Sequence, residues 1–267
     1  MLGSGSMGGA IIDGLLSDGF QPDQITVTTQ SEGSAAKWRA KKVISLAAET
    51  EPTANASAVT GANLVLVAVK PAYVVQVLKE AAENLLPDAL IISVAAGITT
   101  AAMEAVVPES VSVIRAMPNT PSVIGLGMTG IAAGSRASAA ALDVAEQLFG
   151  KVGKTLVLPE NQIDALSTIS GSGPAYVFYL VEQLVEASEN LGFDKQTATL
   201  LVAETFRGAS EYLVASGREA AELRAQVTSP NGTTMRAIAE LEKLELAKGF
   251  EIALDAALTR ARELAAG

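Results

Sequence analysis

The sequence predicts an α/β domain followed by an all-helical domain, and three observations support this order. Short apolar runs such as Leu64–Val69 and Leu90–Ala96 alternate with helix-like stretches in the first half. Strand-like segments nearly vanish after Pro159, where the sequence becomes helical. A glycine-rich turn opens the chain directly before a helical pattern. We therefore expect a first domain over residues 1–158 and a helical second domain over residues 159–267.

Composition narrows the chemistry that the chain can perform. The 267 residues carry a formal net charge of −10, which disfavours nucleic acid and anionic membranes as partners. No apolar stretch reaches the roughly 20 residues that span a bilayer, and no secretion signal opens the chain, so we expect a cytoplasmic location. His and Cys are both absent. Their absence removes the commonest general base and the usual zinc ligands, so we expect no metal site.

The opening GSGSMG, residues 3–8, is a G-x-G-x-x-G turn that precedes an apolar helical pattern. Such a turn lets backbone amides and a helix N-terminus face the pyrophosphate of a dinucleotide. A helix and a short strand from Ile25 follow within about 30 residues, as in a Rossmann-type domain. Only Met1 and Leu2 precede the turn. A full strand is therefore missing before the turn: either the numbering omits upstream residues, or the domain is compromised and both neighbouring strands are expected to be exposed.

The residues after the second strand indicate which cofactor is bound. NAD-dependent enzymes usually place an acidic residue there, whereas this chain has the uncharged segment Thr28–Ser31. Lys37 and Arg39 follow, although exposed helix charges are the commoner explanation for them. We therefore expect NADPH as the cofactor, with NADH as the alternative.

Five motifs identify a family. They are VAVKP at residues 67–71, SVAAGI at 93–98, RAMPNTP at 115–121, SGSGPAY at 170–176 and VTSPNGTTMRAI at 227–238. With these motifs in this order, the sequence resembles the pyrroline-5-carboxylate reductase family over nearly its whole length. The resemblance implies hydride transfer to the C=N carbon of 1-pyrroline-5-carboxylate, which gives L-proline in the last step of proline biosynthesis. A protonated imine is already a strong electrophile, so no histidine acid is needed.

The glycine turn and the resemblance together imply the residues that border the cofactor. These are Gly3, Ser4, Gly5, Ser6, Met7, Gly8, Thr29, Ser31, Asn55, Ala68, Val69, Lys70, Pro71, Ala95, Ala96, Gly97, Pro118 and Asn119. Asn55 would lie near the adenosine ribose, and Pro118 and Asn119 near the nicotinamide. The alternative for Lys70 is an ordinary lysine at a strand edge. The alternative for Pro118 and Asn119 is a simple turn.

The resemblance also implies substrate contacts, at Glu160, Ser229, Gly232, Thr233 and Thr234. Thr234 is the implied catalytic residue, because its hydroxyl would hydrogen-bond the ring nitrogen; N-capping is the alternative for both threonines. A carboxylate stabilised by a helix dipole explains Glu160 equally well.

The turn at Ser229–Gly232 should open directly into a helix from Thr234 to Leu246. First-turn amides and the positive end of a helix dipole suit a substrate carboxylate. Members of the family usually carry two adjacent glycines where this chain has Asn231 and Gly232. Asparagine tolerates left-handed backbone angles, so we expect the turn to be retained.

The helical half also predicts self-association. Apolar residues within Val177–Val185 occupy too wide an arc for one helix face, so a symmetric partner is expected to cover them. The resemblance implies a homodimer, assembled into larger rings in some members.

Two other functions are open. One is a 3-hydroxyacid dehydrogenase or related imine reductase, which shares the opening motif. Those dehydrogenases carry a catalytic lysine in the helix that follows a glycine-rich stretch, and the corresponding helix here, Pro174–Leu184, contains no lysine. A cofactor-binding regulatory protein without turnover is the second alternative.

Overall fold

The computed structural model describes residues 1–266, with side chains for residues 1–263, and these form two compact units. The first unit contains Met1–Pro174 together with the C-terminal residues from Ala257, and the second contains Ala175–Ala256. The predicted boundary after Leu158 lies earlier than this division. The difference arises because the segment after Leu158 packs on the sheet of the first unit, where Leu166 fills the space beside Gly130.

The first unit contains parallel strands whose carboxyl ends share one edge. Its strands are β1 (Thr26–Thr29), β2 (Ile44–Ala47), β3 (Leu64–Val67), β4 (Leu90–Ser93), β5 (Ser112–Met117), β6 (Gly127–Ala133) and β7 (Gly153–Val157). β1 pairs with β2, and β3, β4 and β5 pair in order, all in parallel. β6 is antiparallel to β5 and parallel to β7. Loops that follow β3, β4 and β5 therefore emerge side by side.

Helices cover both faces of this sheet. They are α1 (Ser6–Ser17), α2 (Glu32–Ala40), α3 (Ala54–Val59), α4 (Val74–Ala81), α5 (Thr100–Glu104), α6 (Ala139–Gly150) and α7 (Ile163–Leu166). Because side chains alternate along a strand, Ile91 and Val113 join one buried cluster with Leu78 of α4, whereas Ile92 joins another with Phe149 of α6. Burial on both faces explains the nearly continuous apolar runs in the sequence.

Met1 and Leu2 occupy the position of the strand expected before the glycine turn. The Leu2 N–H donates to the Leu66 carbonyl at 2.8 Å, and the Leu2 carbonyl accepts from the Ala68 N–H at 2.8 Å. On the other side, the Met1 carbonyl accepts from the Thr28 N–H at 2.9 Å. Leu2 is fully buried, and β1 and β3 are largely buried as well. The expected exposure of the neighbouring strands is therefore wrong, because a short extended segment pairs with both of them.

The described residues of the second unit form helices joined by short turns. Its helical elements are α8 (Gly173–Asn190), α9 (Lys195–Ser216), α10 (Ala220–Gln226), α11 (Thr233–Glu242) and α12 (Leu246–Ala266), of which α8 and α12 also extend into residues of the first unit. Asp194 caps α9, and its carboxylate accepts from the Thr197 N–H at 3.0 Å. Large apolar side chains such as Phe178, Leu200 and Val214 are exposed on these helices. Within residues 1–266, no helix is long and apolar enough to cross a membrane.

Candidate functional site

The glycine turn lies against the end of β3. Gly3 has a φ of 83°, and a Cβ there would lie 2.8 Å from Val69 Cγ1. A Cβ at Gly8 would lie 3.0 Å from the Ala68 Cβ. Glycine is therefore favoured at Gly3 by its backbone angle and its close approach, and at Gly8 by the close approach alone.

The same turn leaves backbone amides available at the start of α1. Gly5 is the N-cap of α1, so no side chain caps this helix, and its first turn has no acidic residue. The amides of Ser6, Met7 and Gly8 accordingly have no hydrogen-bond acceptor among the described residues. A turn with a close backbone approach and uncapped amides fits the pyrophosphate of a dinucleotide.

The residues after β1 form a local hydrogen-bonded turn. Thr29 Oγ1 donates to the Ser31 carbonyl at 2.9 Å, and Ser31 Oγ accepts from the Ser34 N–H as the N-cap of α2. Glu32 follows, and its carboxylate is ion-paired with Arg39. Arg39 Nε also donates to a backbone carbonyl of β2. Arg39 is therefore engaged within its own domain, and its charge offsets the carboxylate at the start of α2.

Asn55 is held by a carboxylate on a neighbouring helix. Its Nδ2 donates to Glu80 Oε2 at 3.0 Å, and Gln76 Nε2 donates to Glu80 Oε1 at 2.9 Å. Since a carboxylate only accepts, this arrangement directs the Asn55 carbonyl oxygen away from Glu80. That oxygen has no partner among the described residues and could accept from a ribose hydroxyl.

Further predicted cofactor residues follow β3 and β4. Lys70 is exposed directly after the turn that Ala68 and Val69 form against the glycines, and Pro71 begins a 3₁₀ turn. Ala95 is buried, Ala96 is exposed, and Gly97 has a φ of 75° in the loop before α5. These residues lie at the edge where the carboxyl ends of the parallel strands meet.

Asn119, after β5, uses both ends of its carboxamide within the fold. Its Nδ2 donates to the Ser170 carbonyl at 2.9 Å, and its Oδ1 accepts from the Met128 N–H at 2.8 Å. Ser170 lies in a π-helical turn, Ser167–Gly171. The Asn119 side chain is therefore a bridge between β6 and this turn.

Glu160 belongs to a charged cluster that the sequence prediction missed. Its Oε1 and Oε2 accept from the N–H and the Oγ1 of Thr100, each at 2.7 Å. Arg115 Nη1 lies 3.7 Å from Glu160 Oε1, and Arg115 Nη2 donates to Asp164 Oδ1 at 2.5 Å. The only signal for this cluster was a cation inside an apolar strand, because Arg115 interrupts the run from Val111 to Met117.

The second unit contains the predicted substrate turn. The Gly232 N–H donates to the Ser229 carbonyl at 3.0 Å, and Asn231 has a φ of 61°. The expectation that asparagine keeps this turn is confirmed. A Cβ at Gly232 would overlap Ser229 Oγ, so a larger residue there would force the Ser229 side chain to rotate.

The two threonines follow this turn. Gly232 is the N-cap of α11, so neither Thr233 nor Thr234 caps the helix through its side chain. Their first-turn amides and their hydroxyls have no partner among the described residues. N-capping, the alternative considered for these threonines, is therefore not what the structure shows.

Comparison with known proteins identifies the family. Residues 160–264 match the family model described as pyrroline-5-carboxylate reductase dimerisation, and residues 1–97 match the model described as NADP oxidoreductase, coenzyme F420-dependent. The chain is 40% identical to a pyrroline-5-carboxylate reductase of Pseudomonas aeruginosa, across 99% of this chain and 95% of that protein. The pyrroline-5-carboxylate reductase of Corynebacterium melassecola is 38% identical, across 99% of this chain and 97% of that protein.

The chain belongs to the pyrroline-5-carboxylate reductase family. A solved structure of a member from Coxiella burnetii agrees, with 36% identity, a TM-score of 0.91 and coverage of 98% of this chain and 96% of that one. The family assignment and the predicted order of an α/β domain and a helical domain are both confirmed. The dimerisation model of the family covers the π-helical turn, the Ser229–Gly232 turn and both threonines.

The individual site residues stay predictions, but the structure separates them into two groups. In one group, the backbone amides of Gly8, Thr233 and Thr234 and the hydroxyls of both threonines have no partner among the described residues. By contrast, the side chains of Thr29, Ser31, Asn119 and Glu160 already make hydrogen bonds within the first unit. Among the described residues, no carboxylate cluster is arranged to hold a metal ion.

Proposed function

We propose that this enzyme reduces 1-pyrroline-5-carboxylate to L-proline with NADPH. The observation that carries the proposal is the glycine turn pressed onto β3 in a chain that belongs to the pyrroline-5-carboxylate reductase family. A bound reduced nicotinamide supplies the hydride that adds to the C=N carbon. The protein residues then have to bind, orient and desolvate the two reactants, which is catalysis by positioning.

In this proposal the first unit binds the cofactor. The amides of Ser6, Met7 and Gly8 hydrogen-bond the pyrophosphate, where the positive end of the α1 dipole favours negative charge. Asn55 offers its carbonyl oxygen to the adenosine ribose. The other predicted contacts lie in the loops after β1, β3, β4 and β5.

NADPH is favoured over NADH because Thr28–Ser31 carries no carboxylate and Arg39 neutralises Glu32 at the start of α2. Lys37 is exposed on the same helix and forms no ion pair among the described residues. The match to an NADP oxidoreductase model over residues 1–97 supports the same preference.

The turn before α11 is proposed to bind the substrate. The amides of Thr233 and Thr234 would bind the substrate carboxylate at the positive end of α11, with Ser229 and Gly232 shaping the turn. Thr234 Oγ1 would hydrogen-bond the ring nitrogen. That hydrogen bond holds the C=N bond in one orientation while hydride is added.

The helical half is proposed to form a homodimer. Residues 160–264 match a dimerisation model, and a dimer interface would bury the exposed apolar residues of α8 and α9. Assembly into larger rings and a cytoplasmic location stay predictions, which light scattering and cell fractionation respectively test.

A turnover assay tests the proposed function. NADPH consumption should depend on pyrroline-5-carboxylate and should yield proline in equal amount, with a lower catalytic efficiency for NADH. Oxidation of a hydroxy acid with NADP⁺ would instead support a hydroxyacid dehydrogenase. Cofactor binding without reduction of the imine would support a regulatory protein.

A further inference from the structure

Glu160 joins two segments of the first unit that the proposed function places at the cofactor. One is the loop after β4, because Glu160 accepts two hydrogen bonds from Thr100, the first residue of α5. This loop contains Ala95, Ala96 and Gly97. A single carboxylate therefore fixes the point at which the chain leaves that loop and enters α5.

The other segment is the end of β5. The Arg115 side chain is only 3% exposed and lies 3.7 Å from Glu160 Oε1 and 2.5 Å from Asp164 Oδ1. Its Nε has no hydrogen-bond partner among the described residues, and both of its ion pairs there are with these two carboxylates. Three residues beyond Arg115 the chain reaches Pro118, the predicted contact of the nicotinamide.

We propose that Glu160 is a positioning residue that sets the distance between these two cofactor loops, and that it acts through Thr100 and Arg115. This inference rests on the proposed function, since that proposal assigns the loops to the cofactor. Hydrogen bonds to a charged acceptor are among the stronger ones in proteins, and a buried cation that loses one counter-ion is costly. Neutralising Glu160 weakens both connections at once.

A direct contact with substrate suits Glu160 less well. Both of its oxygens already accept short hydrogen bonds from Thr100. Glu160 and Asp164 together exceed the charge of Arg115, so a substrate carboxylate would meet an excess of negative charge here.

The test is Glu160→Gln with Glu104→Gln as a matched control. Glu104, at the opposite end of α5, also accepts from one hydroxyl and one backbone N–H, those of Ser135 and Arg136. These partners follow β6, which is antiparallel to β5, so they lie at the edge opposite the proposed cofactor loops. The Kd for NADPH is measured by fluorescence titration without substrate, together with Tm, the KM for substrate and kcat at saturating NADPH.

We expect Glu160→Gln to raise the Kd for NADPH about 5- to 20-fold, the range of a weakened charged hydrogen bond, with the KM for substrate unchanged. Glu104→Gln should lower Tm without changing that Kd. The proposal is overturned if Glu160→Gln changes only the KM for substrate, or if the two variants raise the Kd equally.

A second variant keeps the proposal testable if the Glu160→Gln protein does not fold. Thr100→Val removes one of the two hydrogen bonds and retains the charge of Glu160, so it should raise the Kd for NADPH about 2- to 5-fold. A folded Thr100→Val protein with unchanged Kd would overturn the proposal. The titration needs no turnover, so a wild-type protein that binds NADPH but does not reduce the imine would refute only the proposed function.

Discussion

Two adjacent glycines of α1 should respond in opposite ways to the same substitution. Replacing glycine by alanine inside a helix raises stability by about 0.5–1 kcal/mol. At Gly9 the new Cβ would lie 3.5 Å from Trp38 Cζ2, which is an ordinary van der Waals distance. Gly9→Ala should therefore raise the free energy of unfolding by about 0.5–1 kcal/mol.

At Gly8 the new Cβ would lie 3.0 Å from both the Ala68 Cβ and the Gly3 carbonyl oxygen. α1 would have to move away from the end of β3, and overpacking of this kind costs about 1–3 kcal/mol. That cost equals or exceeds the helical gain, so Gly8→Ala should lower the free energy of unfolding by about 0–2.5 kcal/mol.

The shift of α1 should also affect the cofactor. Displaced first-turn amides lose part of their hydrogen bonding to the pyrophosphate, and the Kd for NADPH should rise about tenfold, or about 1.4 kcal/mol. Urea unfolding gives the stabilities and fluorescence titration gives the Kd. Equal Kd values for Gly8→Ala and Gly9→Ala would refute the role given to the glycine turn.

Three further predictions concern the helical half. Thr234→Ala should lower kcat/KM by about one to two orders of magnitude, roughly 1.4–3 kcal/mol, because a hydrogen bond to the imine is lost. Thr234→Ser retains the hydroxyl and should keep most of the wild-type kcat/KM. Unchanged steady-state rates in a folded Thr234→Ala protein would leave Thr234 without a catalytic role. Asn231→Ala should lower the free energy of unfolding by about 1–2 kcal/mol relative to Asn231→Gly, since alanine resists a φ of 61°; equal urea midpoints would contradict this. Hydrogen bonds from the backbone and side chain of Thr197 lower the pKa of Asp194, so this cap stabilises α9 above the ordinary aspartate pKa and is lost as pH falls through the lowered value. The urea midpoints of wild type and Asp194→Ala should therefore differ at neutral pH and converge in acid, and a difference that persists in acid would argue against the cap.

Local patterns were sufficient to predict most of the fold. Apolar runs identified β3 and β4, and the position of Gly232 before two threonines identified the start of α11 to within one residue. The sequence could not show that Leu2 pairs on both sides, because that depends on strands distant in the chain. The helix predicted from Thr234 to Leu246 instead ends at Glu242, and Glu245 has a φ of 47° without a glycine or proline to signal the break.

The site was predicted less completely, because its polar side chains have partners far away in sequence. Glu160 is hydrogen-bonded to Thr100, and Asn119 is hydrogen-bonded to Ser170. No local pattern reveals such pairs. Similarly, the Glu32–Arg39 ion pair joins the two ends of α2, and the sequence pattern indicated an exposed helix charge at Arg39 without showing its partner. Residue type therefore indicated where chemistry could occur, and contacts decided which groups are available for it.

The packing of residues 160–174 determines where the chain can be joined to that of a homologous enzyme in a chimera. The dimerisation module of the family starts at residue 160, yet Asp164 and Ser170 bond to Arg115 and Asn119 of the nucleotide-binding half. A chimera joined at residue 159 would combine a foreign Asp164 and Ser170 with the resident Arg115 and Asn119, whereas a junction at Pro174 would keep each pair from one parent. Recombination at the second position should give folded hybrids more often, and cofactor affinity should follow the parent of residues 1–174.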